Sequence, residues 1–260
     1  MTARVTAETV YLPDGTACAR LTMVAARANA LEPVLLGDLA HALDQAERQD
    51  ARVILLCGGS NFSSGGDVRA FHAAGLRGEA VAYASQVVPR LQALIARLIA
   101  MPRLVVVAAR GAITGGSAGF LFASDLAVLA PDAFVQPYYA KVGFAPDGGW
   151  TALLPDRIGA GPASEWLQSD HRLSAQALCD RGLASAMSDT PEERAVDLAA
   201  NAEIGARLAA KALIWDEARR ADINRRLEAE TAAFLERIAK PETALGMSRF
   251  LERIGGKTDV

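Results

Sequence analysis

The sequence predicts an α/β chain: strand–helix–strand units up to about residue 190, followed by a helical region. Two observations carry the first half. Arg52-Val-Ile-Leu-Leu-Cys57 and Leu104-Val-Val-Val-Ala-Ala109 are unbroken apolar runs rich in β-branched residues, so both read as strands buried on two faces. Between them, Val81 to Ala100 places Val87, Leu91, Leu94, Ile95 and Leu98 on one helical face. Strand, helix, strand in this order forms a βαβ unit, whose crossover is right-handed. A third observation carries the second half. Beyond Pro146-Asp-Gly-Gly149 the sequence turns helical, with Ala163 to Ser169, Ser174 to Arg181 and the long stretch Ala195 to Ile238.

The remaining elements follow in chain order. Arg4 to Leu12 and Thr16 to Val24 alternate and are joined by Pro13-Asp14-Gly15, which predicts a hairpin. Leu36, Leu39, Ala40, Leu43 and Ala46 mark a helix over Leu35 to Arg48. Met101-Pro102 ends the helix that begins near Val81, and Leu126 to Ala130 is a third strand. Ala195 to Ile238 is broken at most near Gly205, its charged residues reading as a solvated face. Its apolar positions, with Trp215, Phe234 and Leu235, call for a partner surface. The expected division is a core over 1–190 and a helical region over 191–260.

Composition narrows the function. The chain has 260 residues, 51% of them hydrophobic, and a formal net charge of −3. There is no basic tract to bind nucleic acid, and no apolar run long enough to span a bilayer. The N-terminal stretch has no apolar h-region. Cys18, Cys57 and Cys179 lie far apart, without metal-ligand spacing, so neither a disulfide framework nor a metal site is expected. The expected setting is soluble and cytoplasmic.

Two glycine clusters each follow a buried strand: Asn61-Phe-Ser-Ser-Gly-Gly-Asp-Val68 and Gly111-Ala-Ile-Thr-Gly-Gly-Ser-Ala-Gly-Phe120. Either alone is well explained as a tight turn. Together they could aim two backbone N–H groups at one oxygen, which is an oxyanion hole. Gly115-Gly-Ser-Ala-Gly119 has the form of a nucleophile elbow around Ser117. However, Arg110 to Thr114 separates it from its strand, and the last histidine, His171, precedes the long helical region.

These motifs, in order, resemble the crotonase (enoyl-CoA hydratase/isomerase) superfamily. The resemblance rests on Arg27-Ala-Asn-Ala-Leu31, Phe62-Ser-Ser-Gly-Gly-Asp-Val68, and Gly111 to Gly119 with Ala123-Ser-Asp125. It continues through Val142-Gly-Phe-Ala-Pro-Asp-Gly-Gly149, Leu153-Leu-Pro155, Ile158-Gly159 and Leu173 to Leu183. It implies a spiral of ββα turns with a C-terminal α-helical trimerisation region, as a homotrimer or homohexamer. It implies an acyl-CoA substrate, coenzyme A entering only as part of that substrate and not as a separate cofactor. Arg27 and Ala28 match the region contacting the nucleotide end. The N–H groups of Gly66 and Gly116 would bind the thioester oxygen. Ser64, Asp67 and Tyr139 complete the expected substrate-binding set, although Asp67 alone reads as a helix cap and Ser64 as a loop hydrogen-bonder.

The chain departs from the hydratases of this superfamily at both catalytic glutamates, which it replaces by Gly119 and Tyr139. Asp147 remains, where the resemblance implies an acid/base or a nucleophile. Taken alone, Pro-Asp-Gly is an ordinary turn. The expectation is an isomerase that shifts a double bond in an enoyl-CoA, or a ring-derived acyl-CoA, through an enolate. The alternatives are a thioesterase- or dehalogenase-type hydrolase with Asp147 as nucleophile, and a non-catalytic acyl-CoA-binding homologue.

Overall fold

The computed structural model describes residues 3–255; the first two residues and the end of the region expected over 191–260 lie outside them. The strands are β1 (Val5–Tyr11), β2 (Ala17–Met23), β3 (Val53–Cys57), β4 (Leu104–Ala109), β5 (Ala112–Thr114), β6 (Leu126–Leu129), β7 (Phe134–Gln136), β8 (Leu173–Ser174) and β9 (Ala186–Met187). A six-stranded sheet runs in the order β1-β2-β3-β4-β6-β9, and a three-stranded sheet in the order β5-β7-β8. β1 and β2 form the expected antiparallel hairpin, and from β2 onward the large sheet is parallel.

Successive turns of chain lay one strand in each sheet. β4 is followed by β5 and β6 by β7, while Ser63, beyond β3, bridges to Ile113 of β5. Helices then return the chain, giving the ββα superhelix. β3 is buried at every position because both faces of the large sheet are covered. Ile54 and Leu56 face one core, while Val53, Leu55 and Cys57 face another under Ala195 and Ala199 of helix Pro191–Ala200.

The C-terminal stretch, expected over Ala195 to Ile238 with at most one break near Gly205, is broken twice. It forms helices Pro191–Ala200, Ile204–Ile214 and Glu217–Ile238, followed by Pro241–Gly255, which lies within the helical region expected over 191–260. Acidic caps make the two breaks. Glu203 accepts from the N–H groups of Gly205 and Ala206, and Asp216 from that of Arg219.

The partner surface that this stretch needs is supplied within the chain. Helix Glu217–Ile238 packs on helix Ala80–Ala100. Phe234 is 3% exposed and packs its ring against Phe71 and Phe144, with centroids 5.7 and 5.0 Å away. Trp215 and Leu235 also pack on the core. Nor is every charge here solvated, since Lys211 and Glu230 are buried. Lys211 Nζ donates to Leu98 O, Arg103 O and Asp125 Oδ2 at 2.8, 2.9 and 2.8 Å, latching helix Ile204–Ile214 to the ends of helix Ala80–Ala100 and β4. No helix among the described residues is long and apolar enough to cross a membrane.

Candidate active site

A cavity of about 360 Å³ opens between the two glycine loops, lined by Gly66, Gly116, Tyr139, Asp147 and the apolar side chains Phe71, Leu91, Phe144 and Phe234. Arg27 lines the cavity and opens an unusual turn, in which Arg27, Ala28 and Asn29 have φ of 54°, 53° and 55°. Left-handed backbone is unfavourable for side chains with a Cβ, so three in a row must be held from outside. Asn29 Oδ1 accepts from Ala25 N at 2.7 Å, and its Nδ2 donates to Asn61 O and Phe62 O. The first glycine loop closes the arrangement. Ser63 Oγ donates to Asn29 O at 2.7 Å, Ser64 Oγ to Arg27 O at 2.8 Å, and Ser64 N to Ala28 O at 2.8 Å. Asp67 caps the next helix through Ala70 N and pairs with Arg27 Nη2 at 2.6 Å. Ser64 and Asp67 therefore act first on the loop itself.

The two glycine loops touch. A Cβ on Gly65 would lie 2.4 Å from Thr114 O, and Gly65 has φ of 76°, so only glycine fits. Beyond this contact Gly66 and Gly116 both line the cavity. Among the described residues neither N–H donates to a protein acceptor, which leaves both available to an oxygen in the cavity. Ser117, by contrast, is fully buried, with its hydroxyl donating to Thr114 O at 2.8 Å, as a structural side chain does.

Asp147 sits against the second amide. A Cβ on Gly116 would fall 2.8 Å from Asp147 Oδ1 and 2.7 Å from Leu91 Cδ2. The carboxyl is 7% exposed. Burial pushes it up to about 7; the Tyr139 hydroxyl opposes this and the Glu230 charge adds to it. Tyr139 Oη donates to Asp147 Oδ1 at 2.6 Å and to Asp147 O at 2.9 Å. Tyr139 is aimed there by the turn before it, where Tyr138 adopts φ of 64° and donates its N–H to Asp170 Oδ1 at 2.7 Å.

Glu230, a residue the sequence reading left on the solvated face, anchors the loop after Asp147. Its Oε2 accepts from Gly149 N at 2.7 Å. Its Oε1 accepts from Thr151 N, Thr151 Oγ1 and Ala152 N at 2.6, 2.7 and 2.9 Å. Its register could have disclosed it: Ile223, Leu227, Glu230, Phe234 and Ile238 form one buried stripe. The histidines lie apart from this chemistry. His72 Nε2 bonds Ser248 Oγ, His41 bonds Gln45, and His171 bonds Ser169.

A family model described as enoyl-CoA hydratase/isomerase matches residues 15–257. The chain belongs to the enoyl-CoA hydratase/isomerase family. A Mycobacterium bovis relative named as a probable enoyl-CoA hydratase is 32% identical over 170 residues, 65% of this chain and 66% of its own length. The human chromodomain Y-like protein is 28% identical over 173 residues, 66% of this chain and 29% of its own length. The chain spans 66% of the length of the Mycobacterium bovis relative and 60% of that of a Bacillus subtilis relative named as a putative enoyl-CoA hydratase/isomerase. The fold is shared with the crystal structure of an enoyl-CoA hydratase from Bacillus halodurans, with a TM-score of 0.82 at 18% identity, covering 94% of this chain and 99% of that one. Within this family fold, Gly119 is locked by packing: a Cβ there would lie 2.1 Å from Gly148 O.

Proposed function

We propose that this chain is an acyl-CoA isomerase that moves a double bond through an enolate, with Asp147 as the single proton carrier. The observation that carries the reading is the close approach of the Asp147 carboxyl to Gly116, both of which line the same apolar cavity. The thioester oxygen would accept from Gly66 N–H and Gly116 N–H. The Asp147 carboxylate would take a proton from one carbon of the acyl chain, the electron pair would move into the thioester carbonyl, and the same carboxyl would return the proton two carbons away. No atom is gained or lost. Each amide would stabilise the enolate by about 3 kcal/mol. A carboxyl pushed up to about 7 is matched to this exchange, because a base works best near its operating pH.

Hydration is disfavoured at this site. Of the two positions where the resemblance places hydratase glutamates, Tyr139 is committed to Asp147, and Gly119 has no room for a side chain. The other acid lining the cavity, Asp67, is paired with Arg27. The Arg27–Ala28 turn, with its guanidinium half exposed, suits the phosphates of coenzyme A. The apolar Leu213 and Ile214, 81% and 53% exposed, suit association of C-terminal helices into a trimer.

The test is enoyl-CoA turnover in heavy water. The expected result is double-bond migration with deuterium entering the acyl chain, lost by a factor of about 10² or more in Asp147→Asn while acyl-CoA binding persists. Full activity of that variant would discard the reading. In oxygen-18 water, label appearing in Asp147 would instead establish the hydrolase with a covalent intermediate.

A further inference from the structure

Asp147 is held directly by Tyr139 and, through the loop that follows it, by Glu230, two residues on separate elements. From one side comes the Tyr139 hydroxyl, 2.6 Å from Oδ1. Burial pushes this phenol well above its ordinary value, so it remains a donor throughout the working range. Its ring is fixed edge-on to Trp150, with centroids 6.1 Å apart, and the Trp150 indole N–H donates to Gly115 O, beside the second glycine turn. From the other side comes Glu230, with three backbone N–H groups and one hydroxyl of residues 149–152 on its two oxygens. Burial pushes the Glu230 carboxyl up, but the backbone N–H groups around it offer no acceptor for a proton, which favours the charged form. The other neighbours of Asp147, the Gly115–Ser117 turn and Leu91, bring no titratable side chain. The remaining ionisable groups lining the cavity are Arg27, Asp67, Arg69 and Tyr138.

We propose that Tyr139 and Glu230 are opposed positioning residues for Asp147, the hydroxyl fixing its carboxylate and the buried glutamate fixing the loop that carries it. The proposal rests on the isomerase reading of Asp147. Its chemical reason is the double duty of a single proton carrier. One carboxyl must both accept a proton from carbon and give it back, so neither state can be held too tightly. A donated hydrogen bond stabilises the ionised form, whereas a buried like charge destabilises it. Tyr139 and Glu230 therefore pull the same group in contrary directions while both restrict its movement.

The contrary signs supply the test. The carboxyl of Asp147 is titrated in the free protein by carbon-13 NMR, its resonance identified by its loss in Asp147→Asn. Tyr139→Phe is expected to move the midpoint up by about one pH unit, the size of a hydrogen bond to a charged group. Glu230→Gln is expected to move it down. Each variant should lower kcat by about 10-fold with KM changed less than about 3-fold, because neither residue binds substrate uniformly. Midpoints that stay put, or that move in the same direction in both variants, overturn the proposal, since a merely structural role predicts no such pair of signs. If Glu230→Gln does not fold, the upward movement in Tyr139→Phe decides alone, and its absence overturns the proposal. The titration needs no turnover. Opposite movements beside a fully active Asp147→Asn would uphold the positioning and discard the isomerase reading. Unmoved midpoints beside an inactive Asp147→Asn would do the reverse.

Discussion

Asp147 carries its proton affinity at the expense of stability, and the sign can be worked out. Its ordinary carboxyl value is 3.8, and in the fold it is pushed up to about 7. Below about pH 4 it is protonated folded and unfolded alike, and burial carries no penalty. As pH rises towards 7 the unfolded chain releases the proton first, so the folded state is progressively destabilised, levelling off above about 7. Asp147→Asn removes the charge and keeps an oxygen to accept from Tyr139. It should stabilise the protein by up to about 4 kcal/mol at pH 8 and by far less at pH 5, as chemical denaturation at the two values will register. A variant no more stable at pH 8 than at pH 5 would contradict the assigned burial. Asp147 was legible as a residue because Pro-Asp-Gly-Gly sits in an ordered set of motifs. Its partner was not, because the Tyr139 hydroxyl reaches it across a left-handed turn that only the folded chain defines. Glu230 shows a different limit, since a charged side chain inside an apolar stripe resembles a solvated one until its four donors are in place.

At the scale of elements, the longer strands β1 to β4 and β6 were legible, whereas β5, β7, β8 and β9, two or three residues each, are too short to carry a periodic pattern. β3 and β4 announce themselves by burial on both faces, which leaves no polar position to blur the pattern. In the C-terminal run the break near Gly205 was legible, but the one at Asp216 depends on a single acidic cap, which an alanine- and arginine-rich sequence does not advertise. The buried side chain of helix Ile204–Ile214 is Lys211, whose ammonium spends all three protons on Leu98 O, Arg103 O and Asp125, beside the partly buried Ile204 and Leu208. Burial lowers its proton affinity, and Asp125 opposes this. Lys211→Ala removes the donor to two carbonyls and leaves the Asp125 carboxylate only the Val105 N–H, and should cost about 3–5 kcal/mol. Thermal unfolding reads this directly. Lys211→Met, which restores the apolar stem but not the bonds, should recover only part of the loss.

For the whole molecule, the notable arrangement is that the last third of the chain completes a cavity begun in the first. Phe234, more than 150 residues beyond Phe71, closes a triangle of rings with Phe71 and Phe144 that walls the cavity. Phe234→Leu removes side-chain volume and two ring contacts from a buried position and should cost about 1–3 kcal/mol. It should also widen the wall and raise turnover of longer acyl groups relative to short ones, as a chain-length series will measure. Unchanged preference would remove Phe234 from substrate selection.

The late arrival of this ring bears on synthesis. A nascent chain can build the parallel sheet and both glycine turns long before residue 234 leaves the ribosome. During that interval Phe71 and Phe144 lack the ring that completes their triangle, and the loop after Asp147 lacks its glutamate. This wall of the cavity is therefore among the last features a growing polypeptide can complete.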